Sequence, residues 1–287
     1  MHQIKGVLMP IGGNEDKGNQ ESEIHQLDFI HEGILAHVVN QAGGTNAKII
    51  VVPTASAIPD EVSAGYQEAF KTLGCTNVHI LDIRSKSDSE KKESIELAET
   101  ADCFMFSGGD QSKISKFIGG TSIHKILNKR ITTESKFVIA GTSAGAMMMA
   151  EEMIAGGSAE ESFVKNAVLM NKGLGLIPDL IIDTHFIRRG RFGRLAEAVG
   201  KFPNLIGIGL GEDTGIIIKN GNDCTIIGSG MVIIMDGKKL THNNIDLLDA
   251  GIPMTMSNLI VHALSNSDSF DIENRVVGVL PIEAPFI

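Results

Sequence analysis

The sequence predicts an α/β fold, a mostly parallel sheet flanked by helices, with antiparallel strands added near the C-terminus. Three observations carry that expectation. Short Val- and Ile-rich runs alternate with segments of helical spacing through the first half of the chain. Those runs are apolar at nearly every position, which suits strands buried on both faces. Beyond residue 210 the texture changes to short apolar stretches separated by turn dipeptides.

Taken in order, strands are expected at Val7–Ile11, Ile49–Val52, 78–81, Cys103–Phe106, 137–140, Leu180–Asp183 and 205–210. Helical spacing covers 23–41, with apolar positions at Ile24, Leu27, Ile30, Ile34 and Val38, and then 60–73, 89–99 and 114–131. Strand–helix alternation of this kind builds βαβ units, whose strands lie parallel. Residues 216–219, 225–227 and 231–235, broken by Asn220-Gly221-Asn222 and Asp236-Gly237, read as antiparallel strands at a sheet edge. Residues 151–172 have weak periodicity and scattered charge and are expected to form a loop excursion. No repeat or linker interrupts the pattern, so residues 1–287 are expected to form a single domain.

Composition narrows the function classes. A net charge of −10 disfavours phosphate backbones and anionic membrane surfaces. With no Trp and one Tyr (Tyr66), a base-stacking platform is also unlikely on composition. Cys75, Cys103 and Cys224 are odd in number and far apart, which fits a reducing compartment and neither a disulfide framework nor a metal knuckle. The N-terminal apolar run ends in Pro10 and a Gly pair and reads as a strand, not a signal peptide. A cytoplasmic protein without metal or cofactor is expected, with an isologous homodimer as its assembly.

Parallel sheets bind ligands at the carboxyl ends of their strands, so the residues after each strand matter most. They are Gly12-Gly13-Asn14-Glu15-Asp16, Ser107-Gly108-Gly109-Asp110-Gln111, Gly141-Thr142-Ser143-Ala144-Gly145, Thr184-His185 and Gly211-Glu212-Asp213. Much of the chain's surplus of 32 Gly collects on this rim.

Gly141-Thr142-Ser143-Ala144-Gly145 is a G-x-S-x-G between a strand and a helical run, the pattern of a nucleophile elbow. The bland alternative is a glycine-rich turn with a Ser cap. A serine nucleophile needs a base. His25, His31, His37 and His124 fall within helical segments, and the His31-Glu32 to His37 spacing is wrong for a HExxH zinc site. His185 instead ends a strand on the same rim, and Glu212, after the next strand, either orients it or is a surface acid. The order Ser, His, acid differs from that of α/β-hydrolases. Amides of Ala144 and Gly109 are candidates to hold an oxyanion. Four of the seven Arg (Arg188, Arg189, Arg191 and Arg194) lie within seven residues of one another, a candidate carboxylate or phosphate clamp beside His185, or else a solvated helix edge.

At these residues the sequence resembles the cyanophycinase family, within the serine peptidases that include peptidase E (aspartyl dipeptidase). The motifs are Ile11-Gly12-Gly13-Asn14-Glu15-Asp16-Lys17, Gly108-Gly109-Asp110-Gln111, Gly141-Thr142-Ser143-Ala144-Gly145-Ala146, Asp183-Thr184-His185-Phe186, Gly193-Arg194-Leu195 and Gly209-Leu210-Gly211-Glu212-Asp213-Thr214. The resemblance implies a flavodoxin-like (class I glutamine amidotransferase-like) sheet and a serine exopeptidase. Its substrate would be cyanophycin, a poly-aspartate with Arg on each β-carboxyl, released as β-Asp-Arg dipeptides. It implies a triad of Ser143, His185 and Glu212, and substrate contacts at Gln111, Asp183, Arg189, Arg191 and Arg194. Thr184 stands where some cyanophycinases have Gln, which leaves room for other β-aspartyl peptides. The alternatives are a peptidase E-like aspartyl dipeptidase and a carboxylate-binding protein without turnover. Glu160 and Glu161 are candidates to meet the substrate guanidinium.

Overall fold

The computed structural model describes residues 4–18, 27–157 and 163–281. The parallel half contains β1 (Val7–Ile11), α1 (Ile34–Gln41), β2 (Ile49–Val52), α2 (Pro59–Thr72), β3 (Val78–Ile80), α3 (Lys92–Thr100) and β4 (Cys103–Phe106). It continues through α4 (Gln111–Ile118), α5 (Ser122–Thr133), β5 (Val138–Thr142) and α6 (Ala144–Met147). The five strands pair parallel in the order β1-β5-β4-β2-β3. Side chains alternate across the sheet, so each strand feeds two cores. Leu8, Ile50, Phe104 and Ile139 join the core on one face, and Met9, Ile49, Met105 and Val138 the core on the other. This explains why these strands are apolar at successive positions.

Register fixes the rim. Ile11 pairs with Thr142, and Phe106 with Gly141, so the loops after β1, β5 and β4 emerge side by side.

Two helical expectations change. Of the span 23–41, only α1 is helical among the described residues; 28–33 form turns, and Gly33 precedes the helix in an extended conformation. His25 lies outside the described residues. The span 114–131 is two helices, because Gly119-Gly120 interrupts it and Thr121 caps α5 through its side chain. Residues 151–172 are also not a simple loop. They include a hairpin of β6 (Glu152–Gly157) and β7 (Val168–Lys172), whose burial does not alternate and so leaves no strand pattern in the sequence.

The second half contains β8 (Leu180–Asp183), α7 (Phe192–Lys201), β9 (Ile206–Leu210), β10 (Thr214–Lys219), β11 (Asp223–Gly228) and β12 (Val232–Asp236). It ends with β13 (His242–Asn243), β14 (Met256–Ser257), β15 (Ile260–Leu264), β16 (Ser269–Asp271) and β17 (Val276–Gly278). As expected, antiparallel strands extend the sheet: β10 pairs with the free edge of β1, and β11, β16 and β17 follow; the third expected edge strand, β12, instead pairs antiparallel with β9 and β15 outside this sheet. With that edge taken, β8 and β9 build a second sheet of order β15-β12-β9-β8. Helix α7 lies close on β9 because the strand reads Ile-Gly-Ile-Gly-Leu. A Cβ at Gly207 would stand 2.6 Å from Val199, and one at Gly209 2.6 Å from the Phe186 ring. Among the described residues, no helix is long and apolar enough to cross a membrane.

Candidate active site

Ser143 sits between β5 and α6 at φ 50° and ψ −110°, a conformation that costs energy for any non-glycine residue. Its neighbours permit the turn. A Cβ at Gly141 would fall 2.3 Å from the Gly145 carbonyl oxygen, and one at Gly145 2.4 Å from that of Phe106. The turn therefore closes only with glycine on both sides, and the hydroxyl is lifted into the open.

His185 follows β8, and Glu212 follows β9. His185 Nε2 lies 3.2 Å from Ser143 Oγ, and its Nδ1 lies 2.6 Å from Glu212 Oε1. With Nδ1–H donating to the carboxylate, Nε2 is left to accept from the serine hydroxyl. Arg188 donates to the other carboxylate oxygen of Glu212 at 2.9 Å. Burial pushes the His185 pKa below its ordinary 6.5; the Glu212 hydrogen bond opposes this, while the charges of Arg189 and Arg191 add to it. Burial raises the pKa of Glu212, but hydrogen bonds from His185 and Arg188 outweigh it and hold the group below the usual carboxylate range. Near neutrality the histidine is thus a free base and the glutamate an anion.

One loop joins these parts. The carbonyls of Ile11, Gly12 and Gly13 accept the amides of Ser143 (2.9 Å), His185 (2.8 Å) and Asp213 (2.9 Å) in turn. Gly13, at φ 104°, lies flat against the imidazole: a Cβ there would come within 2.5 Å of Nε2. His185 and Asp213 also hold positive φ, at 49° and 45°, so strain gathers at the ends of the loops that carry the polar groups.

The oxyanion candidates lie beside the serine. Ala144 opens α6, where the first amides have no intrahelical acceptor. Gly109, at φ 139°, is pressed against Ala55, whose carbonyl oxygen would be 2.1 Å from a Cβ. Gly108 faces Ser143 directly.

The expected substrate contacts divide. Arg189 lines the open cleft and, among the described residues, makes no ion pair. Asp183 is fully buried and accepts from Arg194 Nε at 2.8 Å, from Arg194 Nη2, from Arg191 Nη1 at 3.1 Å and from the Thr184 amide at 2.8 Å. Arg191 also donates to the Thr184 carbonyl at 2.7 Å. These groups form a buried ion-pair cluster behind the histidine, and none of them lines the cleft. Thr184 is fully buried with its hydroxyl against Met147 Sδ. Gln111 donates to the carbonyls of Ile154 (2.9 Å) and Ala155 (3.3 Å) and so ties α4 to the hairpin. Glu160 and Glu161 lie outside the described residues.

The cleft itself holds about 720 Å³ in front of Ser143. Besides the rim residues it is walled by Lys17 and by Ile58, Glu61, Val62 and Tyr66 of α2 and the turn before it. Nothing in the strand-end reading pointed to α2. Pro59 at its start and the tight loop after β2 were the only local signals, and they do not say which way the helix faces.

The sequence profile of peptidase family S51 matches residues 22–226. The chain is 36% identical to the cyanophycinase of Trichormus variabilis over 273 residues, which is 95% of this chain and 88% of that one. It is 33% identical to the cyanophycinase of Geminocystis herdmanii over 268 residues, covering 93% and 94%. The crystal structure of a peptidase from an acI-B1 Actinobacterium superposes with a TM-score of 0.65 over 94% of this chain and 98% of that one; at 19% identity the likeness is one of fold. The chain belongs to peptidase family S51 and is a serine-type peptidase.

Proposed function

We propose that this peptidase degrades cyanophycin to β-Asp-Arg dipeptides through an acyl-enzyme on Ser143. The observation that carries the reading is the hydrogen-bonded series Ser143, His185, Glu212 opening onto a cleft that is lined by both cations, Lys17, Arg188 and Arg189, and an exposed acid, Glu61. Ser143 Oγ attacks the scissile carbonyl as His185 Nε2 takes its proton, and Glu212 stabilises the resulting imidazolium. The amides of Ala144 and Gly109 receive the oxyanion, a contribution of about 3–4 kcal/mol for each good donor. His185 then protonates the leaving amine, and water admitted to the same base releases the acyl group.

Substrate recognition follows from which charges are still available. Arg191 and Arg194 neutralise Asp183, and Arg188 serves Glu212, so Arg189 is the member of the cluster that meets a substrate carboxylate. Gln111, Asp183, Thr184, Arg191 and Arg194 then act on substrate at one remove, Gln111 by tying α4 to the hairpin and the others by seating β8 behind His185. Glu61, exposed on α2, pairs with no cation among the described residues and suits the substrate guanidinium, with Ile58 and Val62 against its methylene stem. The relatives named cyanophycinase support the same substrate. The working assembly in this reading is a homodimer in the cytoplasm.

A linkage comparison tests the substrate. Aspartyl peptides that carry Arg on their β-carboxyls are expected to be cleaved at the backbone bond between aspartates, leaving the β-linkage intact, and Asp-X dipeptides with free β-carboxyls are not. A preference for the dipeptides without Arg on the β-carboxyl would assign the chain to aspartyl dipeptidase chemistry instead.

A further inference from the structure

We propose that Glu15 is the positioning residue that holds the nucleophile elbow against the loop after β1, through the hydroxyl of Thr142. Glu15 is 3% exposed, and a carboxylate is rarely buried so far unless its charge is paired. Its Oε2 accepts from Thr142 Oγ1 at 2.5 Å, and Thr142 is the residue immediately before Ser143. Its Oε1 accepts from Tyr66 Oη at 2.5 Å and from Lys17 Nζ at 2.9 Å. The carboxylate therefore ties three separate parts of the chain together: the elbow, α2 and its own loop.

The same loop carries the three carbonyls that accept from Ser143, His185 and Asp213. It is also anchored at its far side, where the Asp16 amide donates to Asp213 Oδ1 at 3.1 Å. Backbone bonds alone set the heights of the three chain segments on the rim. They do not set the twist of the elbow, because Ser143 sits in a strained conformation that relaxes unless something resists it. The Glu15–Thr142 bond is the side-chain restraint one residue from that strain. The nucleophile and its base are 3.2 Å apart, a contact that small rotations of the elbow would lengthen. Misplacement by about 1 Å is enough to cost on the order of 10²-fold in rate. Glu15 does not touch the reacting atoms in this account; it acts through Thr142.

The inference rests on Ser143 being the nucleophile, and it is tested with a readout independent of substrate. The full-length protein and its Thr142→Val, Glu15→Ala and Glu15→Gln variants are compared for the rate of Ser143 modification by a fluorophosphonate. The same proteins are then compared for kcat and KM on cyanophycin, and for thermal unfolding. Thr142→Val keeps the side-chain shape and removes only the bond to Glu15. It is expected to slow both modification and kcat by about 10–100-fold, with KM within about threefold of wild type and the protein folded. Glu15→Ala is expected to do the same or worse. Glu15→Gln can keep all three contacts, its oxygen facing Tyr66 and Lys17 and its amide donating to Thr142, and is expected to recover to within about fivefold. A folded Thr142→Val protein that reacts and turns over at wild-type rates overturns the proposal. So does a loss that merely follows the folded fraction, or a Gln variant as slow as the Ala variant. If Glu15→Ala does not fold, the other two variants decide. If wild type is modified at Ser143 but leaves cyanophycin intact, the substrate reading fails while the modification rates still judge Glu15.

Discussion

In the larger sheet the proposed nucleophile, Ser143, is prepared by its immediate neighbours, Gly141 and Gly145, which let β5 turn into α6 within a few residues. In the four-stranded sheet nothing local prepares His185 or Glu212. They reach Ser143 because β8 and β9 are parallel neighbours and because the loop after β1 accepts a backbone amide from each side. One half of the site is thus written in a short motif, and the other half is a product of sheet pairing over long sequence distances. The difference predicts where each half is vulnerable: the elbow to crowding, the base and its acid to loss of the buried charges that seat β8.

The largest expected effect falls on that second half. Arg194→Ala removes the main partner of Asp183, which is fully buried and keeps only Arg191 and the Thr184 amide. Breaking a buried ion pair from one side costs about 3–5 kcal/mol, measurable by chemical denaturation. If Arg194 were instead a substrate ligand, the variant would keep its stability and lose KM alone. A smaller effect is expected at the elbow. Gly145→Ala sets a Cβ 2.4 Å from a backbone oxygen of β4, which the elbow can escape only by moving Ser143. A drop of about 10²-fold in kcat is expected, with most of the stability kept.

How much of this was legible follows the same division. The parallel strands announce themselves because burial on both faces makes every position apolar, as in Ile49-Ile50-Val51-Val52. Ser143, His185 and Glu212 are legible as candidates because each closes a strand on a shared rim. The partition into two sheets is not, since β9 looks the same in sequence whether it pairs with β1 or with β12. Nor is the inward turn of Arg194. Asp183 ends β8 and meets Arg194 eleven residues later through the first turns of α7, and the sequence alone shows only a cluster of cations beside a histidine. The hairpin of β6 and β7 is hidden for a different reason: β6 buries two adjacent residues, Met153 and Ile154, and β7 buries only Val168, so no apolar alternation marks them.

The smallest effect concerns the pH profile. Burial and the charges of Arg189 and Arg191 lower the His185 pKa, so the base form persists to below pH 6.5. The expected kcat/KM therefore rises with pH on the acid side, with its midpoint below 6.5, and is flat at neutrality. Arg189→Ala removes one of the charges that lower it, and its acid limb is expected to move up, less so at high salt because Arg189 is exposed. A limb that stays in place would mean that the charge does not face the imidazole.

The most direct test of the account is the release of dipeptide from purified cyanophycin by wild type and by Ser143→Ala. β-Asp-Arg is expected as the product of the wild type, with a loss of at least about 10³-fold in the variant and the two proteins equally folded. A wild type that releases no dipeptide, or a variant that releases it as fast, would contradict it.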